Sequence, residues 1–222
     1  YWEMVSLIPA PGMTFKDFPM DREYLMPNSH LNHKSYFKYI KEYAEKFDLV
    51  WHCVFGATVE KIQKKGNEWE VEVSVNGEKQ IRMYDYVVVC IGHNHDPWYL
   101  SGEELKNQEL FKGDVIHSSQ IKSIEEYKEA HSNKTVLIIG SWISAFDILE
   151  LLIQDPTIRV IVSGNITPLT KSTNFKPYID SGQLILKAGK KYDVTENTVG
   201  FEDGSRENVD SIILCTGFKS SF

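Results

Sequence analysis

No apolar run in these 222 residues approaches the roughly 18 needed to cross a bilayer. There is no basic cluster either: the lysines are scattered and the formal net charge is −7, which argues against a nucleic-acid surface. Cysteine is scarce. Cys53, Cys90 and Cys215 make an odd number with no metal-ligand spacing. Cys90 and Cys215 each end an apolar run, where a thiol serves as a small buried hydrophobe, a usage suited to a reducing cytoplasm. The residues given open on no basic-then-apolar stretch, so the expected compartment is the cytoplasm, with a membrane contact through a later segment left open. No nucleophile triad or carboxylate pair stands out. The sequence starts Tyr1-Trp2 without an initiator methionine and stops at Phe222, a few residues past a strand, so it reads as a piece of something longer. What is present is ordinary for a globular protein: 42% apolar and 25% charged residues, in a length that fits one large domain or two small ones.

The most informative stretch is Val136–Leu149. Four apolar residues end at Gly140, and a helical pattern follows from Ser144 through Ile148, Leu149, Leu151 and Leu152. A second apolar strand, Arg159–Val162, comes after Asp155-Pro156. This spacing predicts a βαβ unit of the dinucleotide-binding type, whose turn aims amides and a helix N-terminus at a pyrophosphate. The fingerprint G-x-G-x-x-G/A reads here Gly140-Ser141-Trp142-Ile143-Ser144-Ala145. The first glycine and the last small residue are present, and Trp142 replaces the middle glycine. Gly140, Ser141, Trp142, Ser144 and Ala145 are therefore candidates for cofactor contact, although helix capping accounts for Ser144 and tight packing for Ala145. Asp147, placed on the first helical turn, is a further candidate, with simple stabilisation of the helix dipole as its plainer role. The indole of Trp142 either lies over the turn and blocks the pyrophosphate or points away. Blocking is the expected case, because the middle glycine exists to let the phosphate come close. Ser163-Gly164-Asn165 ends the second strand, where the adenosine ribose would lie, and adds Ser163 and Asn165 to the set.

Two stretches share a pattern. Glu68–Val75, an Asn76-Gly77 turn and Gln80–Met83 lead into Asp85, an apolar run, Cys90 and Gly92. Thr198–Phe201 and an Asp203-Gly204 turn lead into Asp210, an apolar run, Cys215 and Gly217. The Asp, Cys and Gly recur at a constant offset of 125 residues, and chance hardly supplies the ordered set. Each stretch predicts a hairpin followed by a buried parallel strand, with Val87–Cys90 and Ile212–Cys215 as equivalent core strands. The first unit lacks a glycine turn in the residues given, so that turn is expected before Tyr1. Elsewhere, residues 1–31 read as irregular, broken by four prolines. Asn32 or Ser35 caps a helix to about Phe47 whose core face is Tyr36, Phe37, Ile40, Tyr43, Ala44 and Phe47. Val54-Phe55, Ala57–Ile62 and Leu184–Leu186 read as strand, Ile124–His131 as a weak helix, and residues 164–182 as a polar connection.

Taken with the glycine turn at Gly140, the stretches Phe111-x-Gly113-x-x-x-His117, Gly92-His93-x-x-x-Pro97, Cys215-Thr216-Gly217-Phe218 and Phe15-Lys-Asp-Phe-Pro19 resemble, over nearly the whole chain, the flavin-containing monooxygenase family, N/S-oxidising type. Phe111-x-Gly113-x-x-x-His117 resembles that family's F-x-G-x-x-x-H signature, with Ile121 at the final aromatic position. Gly92-His93-x-x-x-Pro97 matches its G-H-x-x-x-P segment, Cys215-Thr216-Gly217-Phe218 resembles its A-T-G-Y/F segment, and Phe15-Lys-Asp-Phe-Pro19 fits its early region. The resemblance implies an α/β fold of two Rossmann-like dinucleotide-binding units, each with a β-hairpin or meander, the NADP domain being inserted in the FAD domain. Residues 1–98 are then an incomplete FAD-binding domain, 99–218 the NAD(P)-binding domain with its linker, and 219–222 the start of the return to the FAD domain. It implies FAD and NADP as cofactors, a C4a-hydroperoxyflavin, and a small amine or sulfide as the substrate that attacks it. The cofactors carry the hard chemistry.

This sequence departs from the family in three places: Trp142; Asn165, where an arginine normally meets the 2′-phosphate, so that NADP against NAD is open; and Ser6–Pro11, which lacks the usual asparagine. His117 reads as a structural residue of the linker, and His93 and His95 as turn residues, not metal ligands. Two other readings remain. One is a related two-domain flavoprotein, such as a Baeyer–Villiger oxygenase or a reductase. The other is a non-catalytic or weakly nucleotide-binding relative.

Overall fold

The computed structural model describes residues 5–219. They form two compact units, one of residues 6–92 and one of residues 93–219 together with Val5. The first holds α1 (His33–Lys46) and strands β1 (Ala57–Lys65), β2 (Glu68–Val75) and β3 (Glu78–Tyr84). The second runs β4 (Leu105–Lys106), β5 (Asp114–His117), α2 (Ile124–Ala130), β6 (Thr135–Ile139), α3 (Ile143–Leu152), β7 (Arg159–Gly164), α4 (Thr167–Thr170), α5 (Lys176–Asp180) and β8 (Leu184–Ala188). It closes with β9 (Tyr192–Val194), β10 (Thr198–Gly200), β11 (Arg206–Asn208) and β12 (Ser211–Leu214). Among the described residues no helix is long and apolar enough to cross a membrane.

In the first unit, Asn32 starts α1 by accepting a hydrogen bond from Ser35 N at 2.8 Å. The buried face is turned from the expected one. Tyr39 is fully buried and Phe37 is 69% exposed. The Tyr39 hydroxyl accepts from Phe15 N at 2.7 Å and donates to Phe18 O at 2.6 Å, so the irregular segment before the helix satisfies the polar end of a core residue. Apolar spacing alone does not register such a tyrosine. Strands β1, β2 and β3 form an antiparallel meander. Asn76 and Gly77 both take positive φ (51° and 88°), the conformation that an Asn-Gly hairpin turn requires. Val54-Phe55, expected as strand, is exposed and lies before β1.

The run Val87–Cys90, expected as a core strand, is not one. Among the described residues it pairs with no strand, Val88 is 81% exposed and Cys90 is exposed rather than buried. Its counterpart β12 is buried because it lies between β5 and β6, in parallel register with both. The repeat itself holds in other respects: a three-stranded antiparallel meander precedes each run, and Gly92 and Gly217 share a left-handed φ of 76° and 79°.

The second unit is layered. A five-stranded parallel sheet, order β5-β12-β6-β7-β8, has apolar residues on both faces, as parallel sheets do. Alternate residues feed two cores. Val136, Ile138, Val160, Val162 and Ile213 face Ile148, Leu149 and Leu152 of α3. Leu137, Ile139, Ile161, Ile212 and Leu214 face Tyr192, Val194, Val199 and Phe201 of the second sheet, order β11-β10-β9-β4. Helix α2 lies where expected, capped by Ser123. The connection over residues 164–182 is not a plain loop. It folds into α4 and α5, which bring Leu169 and Phe175 into the core. Pro168 and Pro177 occupy first-turn positions, where proline opens a helix instead of breaking it.

Candidate functional site

The chain leaves β6 towards β7 and β8 on one side, and returns as β12 on the other. An open parallel sheet forms a crevice at such a reversal, outside the carboxyl ends of its strands. Gly140 stands there. Its φ is 119°, its N–H donates to Ser163 O at 2.8 Å, and a Cβ on it would lie 2.3 Å from Cys215 O. Any side chain would push β6 and β12 apart, so this glycine is dictated by backbone packing as well as by access to the crevice.

Helix α3 opens at Ile143, one residue before the periodicity indicates, with Trp142 as its N-cap residue. The Trp142 carbonyl accepts from Ala145 N and Phe146 N, and no side chain caps the helix. The first-turn amides of Ile143 and Ser144 therefore stand at the open, positive end of the helix. Ala145 is buried against the sheet. Asp147 is not on the first turn: it lies four residues beyond Ile143, near Cys215, whose thiol it helps to raise. Burial is the main cause that pushes that thiol to about 12, so Cys215 is an inert packing residue. The Trp142 side chain is 76% exposed. An indole lying across the turn would be covered by it, and this one is not.

The Ser141 hydroxyl accepts a hydrogen bond from Asn165 N at 2.9 Å, tying the glycine turn to the end of β7. Ser163 lies beneath this joint, fully buried, and the Tyr192 hydroxyl donates to its Oγ at 3.1 Å. Asn165 is exposed, and its Oδ1 accepts from Thr167 N at 3.3 Å. The structure thus brings Gly140, Ser141, Ser163 and Asn165 together beside the first turn of α3, with Ser144 and Ala145 on that turn and Asp147 beyond it.

The motif Phe111-x-Gly113-x-x-x-His117 fastens β5 to β12 at both ends. At the start, a Cβ on Gly113 would lie 2.1 Å from Asp210 O, so the strands approach too closely for any side chain. At the end, His117 Nε2 donates to Gly217 O at 2.9 Å. A carbonyl can only accept, so the proton is on Nε2, and Nδ1 accepts from Ser119. Burial holds the imidazole pKa below its usual value, and the ring lies between Tyr99 and Phe218. Trp98 N also donates to Gly217 O at 2.9 Å. His117 is thus a clasp at the margin of the crevice, in keeping with its reading as a structural residue. Its partner lies 100 residues away, and nothing in the sequence links the two.

The sequence model of one family, flavin-binding monooxygenase-like, matches residues 1–168, three quarters of the chain. The chain belongs to that family. A 145-residue stretch covering 63% of it is 32% identical to human dimethylaniline monooxygenase [N-oxide-forming] 4, of which it spans 25%. The mouse counterpart aligns over all of the chain at 24% identity, and the chain spans 50% of it. The chain therefore spans between a quarter and a half of the curated relatives it matches. Among solved structures, S-allyl-L-cysteine S-oxygenase from Allium sativum superposes with a TM-score of 0.75 at 22% identity, covering 100% of this chain and 49% of that one. At that identity the likeness is one of fold.

Proposed function

We propose that the protein is part of a flavin- and nicotinamide-dependent monooxygenase that oxygenates a soft nitrogen or sulfur atom of a small amine or sulfide. Residues 99–218 are its nicotinamide-dinucleotide domain, and residues 1–98 belong to its flavin domain. The observation that carries this reading is the glycine turn at the sheet's reversal. There the amides of Ile143 and Ser144 stand at the positive end of α3, where they would hold a pyrophosphate, with the Ser144 hydroxyl beside them on the same turn. Ser141 holds the turn against the end of β7, and Ala145 lets α3 pack close to the sheet. Asn165, just past the end of β7, would meet the ribose.

A flavin site is a different matter. Among the described residues 6–92 there is no strand–glycine turn–helix unit, so no residue of this stretch is assigned to the flavin phosphates. When bound, a flavin supplies the oxygen-activating chemistry of this family name. The part of the residues described here is to hold and orient the dinucleotide that reduces it.

A second reading, a non-catalytic relative, draws on Trp142 and Asn165, which depart from the fingerprint. The exposure of Trp142 weakens its first support. The full-length protein decides between them. It is expected to be yellow, to bleach anaerobically with a reduced nicotinamide dinucleotide, and to consume O2 when a tertiary amine or sulfide is oxygenated. A colourless protein that gives no heat with any nicotinamide dinucleotide overturns the proposal.

A further inference from the structure

We infer that the nucleotide crevice selects the dinucleotide whose adenosine ribose carries a free 2′-hydroxyl, NAD(H), over the 2′-phosphorylated form. The inference rests on the dinucleotide reading above and concerns what its ribose end accepts. In this type of fold the residue just past the second strand meets the ribose 2′ position, and an arginine there accommodates a 2′-phosphate. Here that residue is Asn165, and its options are narrowed. Its N–H is committed to Ser141 Oγ and its Oδ1 to Thr167 N, leaving Nδ2 as a neutral donor that suits a hydroxyl oxygen.

The arginines and the ion-paired lysines of this unit stand elsewhere or are already spent. It has two arginines in the sequence, Arg159 and Arg206. Arg159 opens β7, at the opposite end of the strand from Gly164, about 16 Å away at roughly 3.3 Å per residue, and pairs with Glu207 at 3.2 Å. Arg206 lies in the second sheet, paired with Asp193. Lys187 is the strand neighbour of Ser163. Its ammonium is spent on Ser205 at 2.7 Å, Asp203 at 3.3 Å and Glu207 at 3.7 Å, with the side chain mostly buried. Lys176 pairs with Asp180 at 2.9 Å. Lys171 follows α4 and lines a groove of about 620 Å³ that runs from Ile166, the residue after Asn165, along β8 to Leu186, so it is the lysine to test as a substitute cation. A 2′-phosphate carries about −1.5 to −2 charge at neutral pH. In this protein of net charge −7 it would enter the site without the arginine that normally offsets its desolvation.

The test is isothermal titration of the protein with NADH and with NADPH, repeated on Asn165→Arg. The wild type is expected to bind NADH roughly tenfold more tightly than NADPH, the scale of one charge-assisted contact. Asn165→Arg is expected to tighten NADPH by about tenfold and to change NADH little. If the wild type binds NADPH as tightly as NADH or more so, the inference falls while the dinucleotide reading stands. Loss of that NADPH affinity in Lys171→Ala would then identify the cation responsible. If neither dinucleotide binds, the dinucleotide reading falls and this inference with it.

Discussion

Trp142 replaces the glycine that the fingerprint requires, yet its ring is turned to solvent. Trp142→Gly is therefore expected to change the dissociation constant for a nicotinamide dinucleotide by less than about threefold, with a stability loss of about 1 kcal/mol or less from glycine beside a helix start. Calorimetric titration of both proteins checks this, and a tenfold tightening in the variant would mean that the ring obstructs the turn. His117 carries a second expectation at this scale. Burial lowers its folded-state pKa, so its contribution to stability is fully present above the unfolded value, about 6.5, and is lost as pH falls from there through the folded value. Thermal unfolding followed from pH 7.5 to pH 5.5, above the usual carboxylate range, should show a falling Tm. His117→Gln should start lower and stay flatter. Gly140 could be found from the sequence because glycine at a strand–helix turn has few other uses. The bonds Asn165 N–Ser141 Oγ and His117 Nε2–Gly217 O could not, because hydroxyl and imidazole partners are set by tertiary geometry and leave no spacing behind.

At the scale of elements, periodicity found what it is built to find. The β6-turn-α3-β7 unit, the α1 cap at Asn32, α2 and the Asn76-Gly77 hairpin all follow from apolar period, capping residues and turn chemistry. The misses have a common origin, since each depended on a neighbour. The face of α1 turned on a tyrosine hydroxyl satisfied by Phe15 and Phe18. Helices α4 and α5 form in a stretch whose few apolar residues show no helical period, of which the core takes up Leu169 and Phe175 and, in part, Tyr178 and Ile179. The pairing of β5 with β12 gives the sharpest test here. Gly113→Ala places a methyl 2.1 Å from Asp210 O, where both partners are backbone and neither yields cheaply. It is expected to cost about 2–3 kcal/mol or more, read as a lower urea midpoint with an unchanged m-value.

At the scale of the whole chain, the two units differ in how much they bury. The core around α1 is Ala10, Tyr24, Leu31 and Tyr39, against two extensive clusters on the faces of the parallel sheet. Opening free energy follows buried apolar contact, so hydrogen exchange is expected to be fast across residues 6–92 and slowest in β6, β7 and β12. Equal protection in β2 and β6 would refute that ranking. The 125-residue repeat was readable as pattern but only partly as structure. A meander is stabilised by pairing with its own sequence neighbours. A parallel strand depends on partners that lie far along the chain.

That dependence bears on how this chain behaves in a test tube. Tyr86–Ile91 is a six-residue, uncharged, β-prone segment without proline, with Tyr86 and Val88 more than four-fifths exposed. Such a segment is a template for intermolecular stacking. The chain produced by itself is expected to form thioflavin-positive aggregates as its concentration rises, and Val88→Lys should delay their onset severalfold by inserting a gatekeeper charge. Light scattering that shows the same onset in both proteins would place the aggregation hazard elsewhere.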